Sequence, residues 1–560
     1  MTLIKSLLLG PAAGIVAVAT AQAADLPTRK AAPVEYVRVC NVGGITGWTL
    51  PGSDTCLKLS GYITGQFVGG NLSTEYNYGT VNQAIGAINT TPGLGAIATG
   101  PGSVLSNLAA IDPRSTQRVL LAASPAQQNT TNFRSETGWS TRANLALDVA
   151  SNTAWGPLIG HAEIQGDVSN GLDPLQGNPT NNIFYVNLAY VTWAGITAGK
   201  AQSFFSFIGG GDNYANFFSP DRKGFNEPLL LAYTASFGGG FTATLSAESP
   251  GSVGASGGGT DANGGYFQTN LGPGSGTFNP SLLQYGGQKW PDIVGALHVK
   301  QGWGEAQVSG VIHNVNVTAS GDGTNYDPAV AGAICGPGAN VLCNGTENKV
   351  GWAVDAGVKF NLTNGGWFGN FWGAGDDLVF SGAYSQSAII YSGINDGMWS
   401  ENGQVNGNGQ PMLGADAFFN PATNQWSTPR AWSVLGLLEH HWTPTFYTDL
   451  EASILGVNWS NMGGGCSIAL PSCLIGQAAG GAMSPHAFSW IVGADIGWNP
   501  VTNLNFDFEL MYQSTVQAAP SGFLGTVYNL GGASGAFFQP GGWKGVSDGF
   551  AGRLRITRYF

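Results

Sequence analysis

Through much of this chain apolar and polar residues alternate one by one, the period of a β-strand whose two faces meet different surroundings. In GWSTRANLALDVA, Trp139, Ala143, Leu145, Leu147 and Val149 share one face, while Ser140, Arg142, Asn144 and Asp148 share the other. LIGHAEIQGDV gathers His161, Glu163, Gln165 and Asp167 on a polar face. In NLNFDFELMYQ, Leu504, Phe506, Phe508, Leu510 and Tyr512 alternate with Asn505, Asp507, Glu509 and Gln513. The final DGFAGRLRITRYF sets Phe550, Leu554, Ile556, Arg558 and Phe560 against Arg553, Arg555, Thr557 and Tyr559. A face this charged is no packed core and must meet water. Lipid on the other face satisfies both sets, and a closed barrel leaves no unpaired edge in hydrocarbon. Arg558 lies on the apolar face, near enough to the end of its strand to reach lipid headgroups.

The same alternation, bounded by Gly, Pro, Asn and Asp, predicts sixteen strands. They lie near 57–68, 138–149, 157–168, 183–193, 195–202, 228–238, 240–248 and 291–301. The other eight lie near 304–314, 349–360, 377–388, 430–442, 445–459, 487–498, 503–515 and 547–560. Most are about ten residues long, enough for a tilted strand to cross the hydrocarbon layer. Their connections alternate long and short, with tight turns such as NTAWG, AGI, GGG, WTPT and NPVTN. The one longer member of the short set is LTNGGWFGNFWGAGDD (361–376). This rhythm predicts an all-β fold: a 16-stranded antiparallel transmembrane β-barrel with long external loops and short periplasmic turns. The even strand number puts both chain ends on the periplasmic side. A Gly-rich β-helix shares part of the composition, but its fixed short repeat is absent from the sequence.

The first 23 residues, MTLIKSLLLGPAAGIVAVATAQA, have an early Lys, an apolar middle and the small-residue site Ala21-Gln22-Ala23. That is a secretory signal peptide, cut before Ala24. The expected organisation is a signal at 1–23, an N-terminal periplasmic segment at 24–56 and the barrel at 57–560. Composition agrees with a lipid-facing sheet. Only 10% of residues are Asp, Glu, Lys or Arg, against about 25% in ordinary globular proteins, and Gly accounts for 87 of 560. The formal charge of −12 becomes one unit more negative without the leader, and with no basic run it argues against a nucleic-acid partner.

Six cysteines fall in three close pairs, Cys40 with Cys56, Cys335 with Cys343 and Cys466 with Cys473. In an exported chain these read as local disulfides. No pair has CxxC spacing or a nearby His, so no metal and no cofactor is expected. Gly254-Ala-Ser256-Gly-Gly258 matches GxSxG, but it stands in a glycine-rich loop without the strand–turn–helix that this nucleophile needs. His440 and His441 are adjacent on a predicted strand and point to opposite faces, which excludes joint metal binding there. Trp and Tyr at strand ends, among them Trp139, Trp193, Trp303, Trp442 and Trp498, read as girdle anchors.

Several segments resemble the outer-membrane porins of alphaproteobacteria. They are VEYVRVCNVGGITGWTLPGSDTCLKLSGYI (34–63), YVNLAYVTWAGITAGKAQSFFSF (185–207), LLLAYTASFGGGFTATLSAE (229–248), KWPDIVGALHVKQGWGEAQVSGVIH (289–313), WAVDAGVKFNL (352–362), LEHHWTPT (438–445) and the terminal RLRITRYF. The resemblance implies a homotrimer in the Gram-negative outer membrane that passes small hydrophilic solutes and ions by passive diffusion, without enzymatic chemistry. It also implies that the third external loop, SFFSFIGGGDNYANFFSPDRKGFNE (203–227), folds into the barrel as a constriction. Two departures stand out: loop 70–137 is long for the family, and Lys200 stands where an Arg is usual. On this reading Arg142, Glu163, Arg553 and Arg555 line the pore, and Asp212, Asp221 and Glu227 face them from the loop. The wall arginines and loop acids could set a transverse field; ordinary wet lumen charges are the alternative. A substrate-selective channel of the same fold, an outer-membrane enzyme such as a lipase, and an adhesin barrel are the competing functions.

Overall fold

The computed structural model describes residues 38–70, 137–171, 182–208, 227–249, 284–285, 289–319, 345–362, 369, 371–393, 418–420, 425–459, 486–517, 525–529, 536–540 and 546–560. Sixteen antiparallel strands follow one another round the wall. They are β1 (Cys56–Gly70), β2 (Thr137–Thr153), β3 (Gly156–Gly171), β4 (Asn182–Trp193), β5 (Ile196–Lys200), β6 (Leu229–Gly238), β7 (Phe241–Glu248) and β8 (Asp292–Gln301). Then come β9 (Gly304–Ala319), β10 (Gly345–Asn361), β11 (Asp377–Gln386), β12 (Pro429–Thr443), β13 (Phe446–Trp459), β14 (His486–Val501), β15 (Leu504–Gln517) and β16 (Val546–Tyr559). β16 pairs with β1 from Ala551↔Gly70 to Tyr559↔Tyr62, so the sheet closes on itself. All sixteen predicted strands are present, most with ends within three residues of expectation.

The barrel is inside out relative to a water-soluble protein. Leu231, Leu297, Val308, Val354, Phe380, Leu450, Phe508, Leu510 and Leu554 are exposed, while Gln66, Asn144, Asp167, Ser309, Asp355, Ser433, Glu451, Asp507 and Thr557 are buried. A continuous outward apolar face stays out of water only in lipid. The terminal strand follows the predicted parity, with Leu554 and Ile556 outward and Arg553 inward. Arg558 uses its guanidinium locally, donating to the carbonyls of Thr502 and Asn503 at the turn before β15.

Tight turns join strands at one end. Between β4 and β5, Ala194 (φ 51°) and Gly195 (φ 84°) both take positive φ, as a two-residue turn matching strand twist requires. A Cβ on Gly195 would stand 2.7 Å from the Thr234 carbonyl oxygen, so glycine is needed for space as well as for conformation.

Within the segment expected to precede the barrel lies a hairpin, Val39–Val42 with Ile45–Thr49. It extends the wall by pairing Trp48 with Leu57 and Thr49 with Cys56. Val42 packs with Cys56, Ala150 and Ile159, and Cys40 and Cys56 form a disulfide. Cys335, Cys343, Cys466 and Cys473, the leader at 1–23 and the GxSxG at 254–258 lie outside the described residues. Among the described residues no helix is long and apolar enough to cross a membrane, which has no bearing on a barrel.

Candidate functional site

The chemistry-bearing side chains converge inside the barrel. After β5 the chain turns inward, and Ser203–Ile208 lies along the inner wall. The Ser203 hydroxyl donates to Glu248 Oε2 at 2.6 Å and the Phe204 N–H to Glu248 Oε1 at 3.1 Å, fixing the segment to the end of β7. Farther round, the Gln307 amide donates to the carbonyls of Phe204 and Phe205, and the Ser309 hydroxyl reaches the Phe205 carbonyl at 2.5 Å, both from β9. Phe207 then covers Gly357 of β10, where a Cβ would stand 2.1 Å from the ring. Phe207 and Ile208 end on Val379, Leu435 and Leu437 of β11 and β12. That apolar strip on the inner face has a physical reason: it is the bed of the segment, not a surface for water.

Two charged networks line the wall. In the first, Arg142 of β2 donates from Nε and Nη2 to both carboxylate oxygens of Asp167 on β3, at 2.7 and 3.0 Å. Glu163 accepts from the amides of Asn144 and Asn187 and lies 3.7 Å from His161 Nε2. Lys200 Nζ of β5 stands 3.3 Å from Glu227 and also donates to the carbonyls of Val186 and Asn187. Burial pushes the Glu227 carboxyl above its ordinary range, against the pull of Lys200.

The second network is a row of acids set by strand register. Asp377 faces Glu439, Glu439 faces Asp449, Asp449 faces Asp495, Asp495 faces Glu509 and Glu509 faces Arg553 across β11 to β16. Lys359 Nζ is 2.6 Å from Asp377, Arg553 is 2.5 Å from Glu509, and Arg555 is 2.9 Å from Asp507. No ion pair among the described residues engages Asp449, Glu451 or Asp495.

Of the predicted pore residues, Arg142 and Glu163 fall in the first network with Glu227, and Arg553 and Arg555 in the second. The arginines do not stand as bare charges: each is tied to a wall carboxylate, and Arg553 is only 1% exposed. Asp212 and Asp221 lie outside the described residues. Sequence reasoning did not single out Asp377, Glu439 and Asp449 or the anchors Gln307 and Ser309 as site residues. Parity could have found Asp449, two residues from Glu451, but no sequence signal marks which wall residues will hold an incoming loop.

At the turn end, the two histidines meet one carboxylate. Asp376 accepts from the His440 ring at 2.6 Å and from the N–H groups of His441 and Gly373 at 2.7 and 3.0 Å. Burial alone would raise the Asp376 pKa, but the Gly373 and His441 N–H groups and the His440 ring hold it below the ordinary carboxylate range. Phe371 stacks on His440 at 4.5 Å, and Trp442 meets that ring edge-on. Among the described residues no group of three His, Cys, Asp or Glu could hold a metal ion. The arrangement as a whole offers a polar, charge-lined passage with an obstacle fixed inside it.

A family model described as a porin subfamily matches residues 25–91 and 117–530. Porin Omp2b of Brucella abortus and of Brucella suis is 27% identical to this chain over 318 residues. That match spans 55% of the chain and 65% of the length of those relatives. Among solved structures, the outer membrane channel DcaP of Acinetobacter baumannii overlaps with a TM-score of 0.45 at 11% identity, covering 92% of this chain and 99% of that one. The anion-selective porin from Comamonas acidovorans overlaps with a TM-score of 0.37 at 8% identity, covering 90% and 100%.

Proposed function

The chain belongs to the porin subfamily, and from that premise we propose that it forms a water-filled channel through which small hydrophilic solutes and ions diffuse passively across the Gram-negative outer membrane. The observation that carries the proposal is the path of Ser203–Ile208, held inside a closed barrel whose polar face points inward. A segment fixed there narrows the passage without filling the wall, so flow is limited by size and biased by the lining charges. Nothing in this reading needs covalent chemistry or a cofactor; solutes move down their own gradients. Residues 203–227 are the constriction loop, residues 24–56 the periplasmic lead into the barrel, and residues 1–23 the cleaved leader. Lipid covers the outward apolar face, and the working assembly is a homotrimer, as the family resemblance implies.

A substrate-selective channel of the same fold is the second reading, and the bed of Val379, Leu435 and Leu437 favours it, since it moors the obstacle across several strands. Liposome swelling separates the two. A general channel admits neutral sugars at rates that fall smoothly with size. A selective one admits one solute far faster than others of equal size. No swelling with any solute small enough to pass sinks both.

A further inference from the structure

A second segment folds into the lumen, from the loop between β11 and β12. At Ser387 the chain leaves the strand with φ 51°, and Ile389–Ser392 form one 3₁₀ turn closed by Gly393 at φ 82°. Ala388 through Ser392 are all buried. The segment crosses the inner face of β10 at Gly351, where a Cβ would stand 2.0 Å from the Ser387 carbonyl oxygen. It runs back towards β8 and β9, against the direction of the Ser203–Ile208 segment.

The two segments meet. The rings of Phe205 and Tyr391 touch edge to face with centroids 4.8 Å apart. Both belong to one apolar cluster with Val294, Val311, Ala353, Ala388 and Ile390. The Tyr391 hydroxyl donates to Asp292 Oδ2 at 2.6 Å. That carboxylate is itself fixed: Oδ2 lies 2.6 Å from His313 Nδ1, and Oδ1 accepts the Asn314 N–H at 3.0 Å. Along β9, Gln307 and Ser309 hold the loop root, while Val311 and His313 meet the second segment one step nearer the external end. The second segment therefore covers the loop root from outside.

The geometry points to residues 387–393 as a strap that fixes the constriction, with Tyr391 and Asp292 as its positioning residues. This rests on the channel reading. The hydrogen bonds to Glu248 and from Gln307 and Ser309 tie the loop root to the wall, but they leave its outer side open. The strap closes that side, so a solute entering from outside meets the strap first and the aperture depends on both segments. Tyr391 acts on the steadiness of the aperture and not on the wall, whose strand pairing it does not share, while Asp292 anchors it from the first residue of β8.

The test is single-channel recording of the wild type, Tyr391→Phe, Asp292→Asn and Tyr391→Ala. Tyr391→Phe keeps the ring against Phe205 and removes only the latch. Spontaneous closures should become about tenfold more frequent, since a hydrogen bond to a carboxylate shifts an equilibrium by roughly that factor or more. Asp292→Asn should move in the same direction and Tyr391→Ala further, with rising open-channel noise and unchanged folding on semi-native gels. Closure rates equal to wild type in Tyr391→Phe and Tyr391→Ala would overturn the strap while leaving the channel reading intact. Failure of Tyr391→Phe to fold would also overturn it, because a strap acting on the loop leaves the wall sound. A wild type without any conductance would instead remove the reading on which the strap rests.

Discussion

At the scale of single residues, what decides a substitution is whether its side chain faces hydrocarbon or the lumen. Phe508 is 49% exposed on the outer face, and Asp507 beside it is buried against Arg555. Phe508→Arg should cost about 2–4 kcal/mol if it sits near the bilayer midplane, read as a lower urea midpoint for unfolding from vesicles. An unchanged midpoint would mean that the face assignment is wrong. Asp507→Asn is harmful for another reason. It leaves a largely buried guanidinium without its carboxylate, a loss of about 3 kcal/mol, whereas Asp507→Asn combined with Arg555→Gln should recover most of it. Equal losses in the single and double variants would show that the pair is not coupled. These parities were legible in the sequence, because water and lipid on opposite faces impose a period of two on every strand. The pairing was not, because which acid each arginine meets depends on the register between strands far apart in the chain.

At the scale of elements, the loops carry what the strands do not. Gly357→Ala should displace the loop root, because the new Cβ would meet the Phe207 ring at 2.1 Å. With β10 otherwise intact, the barrel should fold while Ser203–Ile208 becomes cleavable by protease added outside. Protection equal to wild type would contradict the path described for that segment. The longest short-side turn, 361–376, depends on Asp376. Because its pKa is lowered by folding, the stability it contributes is present above the unfolded carboxylate pKa of about 4. That stability is lost as pH falls through the lower folded value. Asp376→Asn should therefore destabilise the barrel by about 1–3 kcal/mol at neutral pH, and wild type and variant should converge in strong acid. A gap that persists there would assign the effect to packing. Val379, Leu435 and Leu437 show why such elements escape sequence reading. Leu435 and Leu437 make both faces of β12 apolar and blur the alternation, and only the incoming loop explains them. The Val39–Thr49 hairpin escaped for a simpler reason, being too short to show a period.

At the scale of the whole molecule, closure of the sheet and inversion of its faces make a passage, and the balance of charge inside biases it. Acids outnumber bases in the chain, 33 Asp and Glu against 21 Lys and Arg, and Lys359, Arg553 and Arg555 are each occupied by a carboxylate. The passage should therefore favour cations weakly, and less so as salt rises, since charges are screened beyond about 8 Å at physiological strength. Zero-current potentials across a salt gradient report this directly, and an anion-selective wild type would place the dominant charge elsewhere. The channel itself is tested most directly by adding the purified, folded protein to a planar lipid bilayer under voltage. The account predicts discrete upward current steps whose size scales with the bulk conductivity of the electrolyte. A folded protein that inserts into the bilayer and gives no steps at any salt concentration would contradict it.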